Sequence, residues 1–445
     1  MKKSRATHLH AALFSALALI SAASCAQTPV GPSAVANPAF PAFQYPAELP
    51  PEAAVHDALL RLPELQAARA DIDYSATEQR RLKSGPYEWS LRGETARRRT
   101  RLEGNSQDYE ISVDRPLRWF GKAGKDQELG EQTVVLAETA YTGVWHEASR
   151  ALLSAWFELL REERATSRIS EQVALSEQLL DGMQKRVRVG DTPKMELLLA
   201  QTEHQRLLAM QQQAQQRAKL ARIALEQKYP GLPLPSVLST PPSSMSPLPD
   251  ISEDMTDWVP RIIAGNHELE QARAQTQQKQ LQVERSILER TPDPTVALRY
   301  SSERSGEDRI VGVAVSIPLP GDARRAGHAG ALAQLDRARQ EEMQIRNKIE
   351  REARQLLIQA LAAKKIALTQ AHIRDQAQSN AALVMKAYTL GELAFADTLL
   401  AGRQALEAAQ AAETAYLDAL EIHARLLLDA HRIWCLEQGS ATPSN

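Results

Sequence analysis

Val113-Asp114-Arg115-Pro116-Leu117-Arg118-Trp119-Phe120-Gly121-Lys122 has a counterpart 202 residues further on, Val315-Ser316-Ile317-Pro318-Leu319-Pro320, which keeps the valine, the proline and the leucine. An alternating run precedes each stretch. Tyr109, Ile111 and Val113 alternate with Glu110, Ser112 and Asp114, and Val311, Val313, Val315 and Ile317 with Gly312, Ala314 and Ser316. Period two gives a strand with one apolar and one polar face. Behind each stretch comes a run of helix formers without a proline, from Lys122 to Val189 and from Asp322 to Leu390. At 1.5 Å per residue each run makes a helix roughly 100 Å long, too long for a compact domain.

Outward from these segments the repetition continues. Glu64-Leu65-Gln66-Ala67-Ala68-Arg69-Ala70 returns as Glu268-Leu269-Glu270-Gln271-Ala272-Arg273-Ala274, and Gly190, Glu196, Leu198, Leu199 and Ala200 return as Gly391, Asp397, Leu399, Leu400 and Ala401. Nearly constant offsets divide the chain into two repeats, 57–230 and 258–435, joined by a Pro/Ser-rich stretch, 231–257. Each repeat reads helix, two strands, very long helix, tight turn, returning helix. The strands are expected at about 87–97 and 107–117, then 294–302 and 309–317, with turns near Gly104 and Gly306. Tyr87, Trp89, Tyr109 and Tyr300 stand on the apolar strand faces, and one helix is expected over 256–290. Leu152, Leu153, Trp156, Leu159 and Leu160 form an apolar stripe that predicts antiparallel helix packing.

An ordinary sheet packed on a helix and a membrane barrel share this alternation. Four strands cannot close a barrel, and lipid does not tolerate open sheet edges. If the strands span a membrane, several chains must pool them, so a homo-oligomer is predicted.

The composition narrows the function. The 445 residues carry 53 Lys+Arg against 55 Asp+Glu, a net charge of −2, which gives no bias toward nucleic acid. Cys25 and Cys435 are the two cysteines, too few for a disulfide scaffold. Lys2, Lys3 and Arg5, an apolar stretch from Ala11 to Ile20, and small residues up to Ala26 read as a signal peptide over 1–26. Cleavage precedes Gln27, or Cys25 becomes an acylated first residue. A Pro/Ala-rich segment fills 27–56, and 436–445 is a tail. No catalytic motif, nucleotide loop or metal signature stands out, so neither an enzyme nor a cofactor is expected. His431 and Cys435 lie four apart on the last helix, as metal ligands can, but two ligands make a poor site. Met183, Met195 and Met385, near the turns, read as helix packing rather than a soft-metal relay.

The duplicated plan resembles the TolC family of outer-membrane efflux ducts over about 55–434. The two strand exits quoted above carry the resemblance, together with the turns Val189-Gly190-Asp191 and Leu390-Gly391-Glu392, each followed by an acid and Leu-Leu-Ala. The exit 115–122 looks more like the heavy-metal-efflux branch than the drug-efflux branch. The resemblance implies a mainly α fold with a membrane β-barrel. In a homotrimer, four strands per chain complete a twelve-stranded barrel in outer-membrane lipid, and the long helices form a periplasmic tunnel. Val189, Gly190, Asp191, Leu390, Gly391 and Glu392 would be the periplasmic tips that meet an adaptor, itself joined to an inner-membrane pump of the resistance-nodulation-division type. Asp397 and Glu196 match aperture acids, and Tyr388 a position that holds the tip closed. Leu393 stands where a basic partner is expected, and Leu400 where some relatives carry a second acid. Small solutes, metal cations or drugs are the cargo this implies. A duct for a protein-secreting transporter is one alternative, and a periplasmic coiled-coil scaffold with a small soluble sheet another.

Overall fold

The computed structural model describes residues 45, 46, 48–101, 104–235, 248 and 255–436. The leader with Cys25, most of the Pro/Ala-rich segment, much of the joint and nearly all of the tail lie outside the described residues. In chain order the elements are α1 (Glu52–Leu60), α2 (Pro63–Ser84), β1 (Ser90–Thr100), β2 (Gly104–Pro116), α3 (Lys122–Arg188) and α4 (Lys194–Lys228). The same order follows again as α5 (Met255–Gly265), α6 (His267–Leu288), β3 (Thr295–Glu303), β4 (Asp308–Ser316), α7 (Asp322–Thr389) and α8 (Phe395–Asp429).

Two expectations need correction. The helix expected over 256–290 is two helices, because Asn266 leaves helical geometry and its side chain caps α6, accepting from the Leu269 N–H at 2.9 Å. β1 begins at Ser90, so Tyr87 and Trp89 precede the strand. Tyr87 instead turns its hydroxyl onto Asp293 in the joint between sheet and helices.

The long helices pair as the apolar stripe predicts. α3 packs on α2 and α6 near the sheet and on α4 toward its far end, while α7 packs on α6 and α8. Ile169 and Val173 of α3 meet Leu207 of α4 and Leu406 of α8 in one buried cluster. Alanines fill the α7–α8 seam: Ala363 and Ala367 bury against Ala419, with Leu248 from the joint packed on them. Such small side chains let two helices approach closely without voids. Ion pairs flank the seams, among them Arg161 with Glu421 at 2.6 Å and Arg168 with Glu413 at 3.1 Å.

The sheet is antiparallel in the order β1-β2-β3-β4. Its register puts Leu91, Val113, Leu298 and Val313 in one row and Ile111, Tyr300 and Val311 in the next. The other face carries Arg92, Glu94 and Arg98, then Asp108, Glu110 and Arg299. Arg98 bridges Asp108 at 2.9 Å and Glu303 at 2.6 Å across that face. Among the described residues no helix covers the apolar side: Leu91 is 74% and Val313 72% exposed.

Where strands become helices, a buried charge network fixes the angle. Lys122, the first residue of α3, is fully buried and donates to Asp293 Oδ1 and to the Thr291 carbonyl, both at 2.8 Å. The Trp119 N–H donates to the same carboxylate oxygen at 2.8 Å. Beside it, Asp126 takes Arg118 at 3.0 Å and Arg285 at 2.5 Å. Burial by itself raises the Asp293 carboxyl, but Lys122, the Tyr87 hydroxyl and the Trp119 N–H together hold it below the ordinary carboxylate range. A folded value below the unfolded one gives stability that is complete above about pH 3.9 and lost as pH falls through the lower folded value. Thermal unfolding followed by circular dichroism is expected to show a shallower acid-side loss in Asp293→Asn than in wild type.

Candidate functional site

Two places in the fold expose apolar side chains in an ordered setting: the uncovered sheet face and the pair of turns at the far ends of α3 and α7. The turns share one geometry. At the first, the Gly190 N–H donates to the Val187 carbonyl at 3.1 Å and the Asp191 N–H to that of Arg186 at 3.0 Å. At the second, Gly391 donates to Tyr388 at 3.0 Å and Glu392 to Ala387 at 2.9 Å. Both are Schellman caps, which require a left-handed residue just past the helix. Gly190 and Gly391 both have φ +79°, a conformation that glycine adopts without the steric cost a Cβ brings. Four residues beyond each glycine a new helix starts, behind Pro193 in one turn and Ala394 in the other.

Each turn also displays apolar side chains where water meets them. Val189 is 78% and Leu390 65% exposed. Asp191 and Glu392 are exposed beside them. The six turn residues read from the sequence therefore form two similar tips, each an apolar side chain next to an acid.

Between the tips the structure assembles a clasp. Tyr388, on the last turn of α7, donates its hydroxyl to Glu196 Oε2 of α4 at 3.3 Å. Arg186 of α3 donates Nη1 to the same hydroxyl at 3.0 Å and Nε to Asp191 at 2.8 Å, with its guanidinium 5.5 Å from the Tyr388 ring centre. The ring leans on Phe395 with centroids 5.5 Å apart, above a small core of Met183, Ala200 and Phe395. Burial pushes the Tyr388 phenol up; Arg186 opposes the shift and Glu196 adds to it, so the hydroxyl stays protonated and able to donate. Arg186 and Glu392 carry opposite charges at the two tips, but Arg186 is held by Asp191 of its own turn.

The structure thus brings together Tyr388 and Glu196 and leaves Asp397 outside the clasp. Asp397 is exposed in the first turn of α8, where a carboxylate faces the positive end of the helix. Arg186 was missed from the sequence. A basic residue in the last turn of a helix is common for the sake of the dipole, so only its spacing of four before Gly190 could have drawn attention to it. Met183 is buried in packing, as read, whereas Met195 is exposed. The pair on the last helix is corrected as well: α8 ends at Asp429, so His431 and Cys435 both lie beyond it.

No helix among the described residues is long and apolar enough to cross a membrane. No family model and no curated protein matches the sequence. Solved structures match the fold. VceC, an outer membrane protein of Vibrio cholerae, aligns with a TM-score of 0.68 at 15% identity, covering 86% of this chain and 96% of that one. The CmeC outer membrane channel of Campylobacter jejuni gives 0.67 at 14% identity over 87% of each chain. The open state of the MtrE outer membrane channel of Neisseria gonorrhoeae gives 0.68 at 16%, with 86% and 90% covered. The chain therefore has the fold of these outer-membrane channel structures. It is the TolC-family fold that the sequence resembles.

Proposed function

We propose that three copies of this chain pool their strands into a twelve-stranded barrel in the outer membrane and continue as a helical duct through the periplasm. The duct is passive and does no chemistry. Solutes delivered by an inner-membrane pump through a periplasmic adaptor pass along it to the exterior. The observation that carries this reading is a four-stranded sheet with an uncovered apolar face and, among the described residues, no partner for the outer edges of β1 and β4. Lipid accepts such a face only when every edge is paired, and pairing β4 of one copy with β1 of the next removes the edges. A soluble scaffold would leave Leu91, Ile111, Leu298 and Val313 in water, so the sheet favours the duct over that alternative.

The tips would then be the adaptor's docking points. Leu390→Glu and Val189→Glu are each expected to weaken adaptor binding about tenfold, measured by surface plasmon resonance against the purified adaptor. A cargo of metal cations fits the heavy-metal-efflux resemblance, and the acids Asp397 and Glu196 would then face a cationic solute at the aperture. The function is tested by single-channel conductance of the purified protein in planar bilayers. Discrete openings are expected, with divalent-cation block weakened in Asp397→Ala. A silent bilayer would remove the duct, and unchanged block would remove Asp397 from the aperture.

A further inference from the structure

Far from the tips, three histidines remote in sequence converge. His146 comes from α3, His267 is the first residue of α6, and His431 lies two residues past the end of α8. One ring nitrogen from each lies within 4.8 Å of the other two. The rings meet at centroid distances of 4.8 to 5.6 Å.

Several details of the setting go beyond packing. His431 Nε2 and His267 Nδ1 are buried with no hydrogen-bond partner, an arrangement that costs stability for each atom left unsatisfied. Glu270 Oε2 stands 3.5 Å from His267 Nδ1, at the outer limit of contact. His146 is oriented from behind, with Nε2 3.2 Å from Asp429 Oδ1, while Arg150 holds that carboxylate at 2.8 Å. A carboxylate behind an imidazole is the usual support of a metal-bound histidine: it fixes the tautomer and frees the other nitrogen.

His431 also sits at the left-handed position of the α8 cap, φ +54°, where the Arg432 N–H donates to the Leu427 carbonyl at 2.8 Å. Glycine is the residue that this position normally takes. Across from it Gly265 has no side chain, and a Cβ there would come within 2.3 Å of His431 Cδ2. The chain thus places a glycine where the ring needs room and a histidine where the backbone would prefer a glycine.

We propose that His146, His267 and His431 form a binding site for one divalent transition-metal ion, with Zn2+ the best match. Three neutral imidazoles suit Zn2+, Co2+, Ni2+ and Cu2+, whereas Mg2+ and Ca2+ require oxygen ligands. At Zn–N distances of about 2.0–2.1 Å, tetrahedral ligand nitrogens lie about 3.4 Å apart, so the rings close inward by roughly 1 Å or less each. Glu270 or a water completes the coordination. The ion would satisfy both orphaned nitrogens and tie the segment after α8 to α3 and to the start of α6. It is a structural clamp remote from the tips, and it stands whether or not the chain forms a duct.

The test uses the full mature protein without a polyhistidine tag, stripped with EDTA and titrated with Co2+. Uptake of one Co2+ per chain is expected, with the intense visible absorption of a tetrahedral site, displaced by Zn2+. His267→Gln and His431→Gly are each expected to weaken binding about a hundredfold, and Asp429→Asn about tenfold. His431→Gly relieves the strained backbone, so its loss of binding cannot come from misfolding, and Zn2+ should raise the melting temperature of wild type but not of this variant. No Co2+ uptake by the stripped wild type, or variants that bind as tightly as wild type, would overturn the site.

Discussion

In the proposed duct, Tyr388→Phe combined with Arg186→Ser is expected to raise the open population roughly a hundredfold. The two changes remove the hydroxyl contacts from Tyr388 to Glu196 and from Arg186 to Tyr388, and the ion pair from Arg186 to Asp191. Arg186 and Asp191 are largely exposed, so their pair contributes little by itself. The hydroxyl hydrogen bonds contribute about 1 kcal/mol per chain. Three chains opening together would sum this to about 3 kcal/mol, or about two powers of ten in population. Movement of the α7–α8 turn away from α3 and α4 has to break these contacts, since the clasp spans those three helices. The buried cluster of Met183, Ala200 and Phe395 stays intact in the double variant, which keeps the tip folded. Single-channel recording reads the result as open probability. An unchanged value would show that the clasp does not hold the aperture.

Lys122→Met is expected to cost about 3–5 kcal/mol, the penalty for stranding a buried charge whose partner has been removed. Lys122 has no exposed surface, and its loss leaves Asp293 facing Tyr87 and the Trp119 N–H without a cation. The apparent melting temperature in detergent should fall by an amount on the order of 5 °C or more. Replacing Asp293 as well, by Asn, should recover much of the loss, because the damage is the uncompensated carboxylate. If the single and double variants melt together, the pair does not carry the joint between sheet and helices.

These residues also mark how far the sequence could be read. Gly190 and Gly391 were legible because a Schellman cap requires a left-handed residue and a helix must stop there. The strands from Gly104 and from Thr295 were legible because an uncovered two-faced sheet keeps strict alternation. Alternation also misled. It runs on through Trp89 to Tyr87, although Tyr87 is recruited by Asp293, some 200 residues away in sequence. Gly265-Asn266 carried an ordinary stop-and-cap signal, but a helical composition on both sides masked it. Arg186 and the histidine trio were hidden for one common reason. Their partners lie on other helices, and local spacing holds no record of which faces meet along helices of 67 and 68 residues. The family resemblance supplied Tyr388 and Glu196, and only the packing of α3, α4 and α7 placed an arginine against the Tyr388 hydroxyl.

The most direct test of the pooled barrel is the detergent-corrected mass of the particle released from outer membranes, measured by sedimentation equilibrium. A barrel built from four strands per chain predicts three chains in a particle that needs detergent to stay in solution. A water-soluble particle of one chain would contradict it, because the apolar face of the sheet would then have no lipid to meet and its edges no neighbour to pair with.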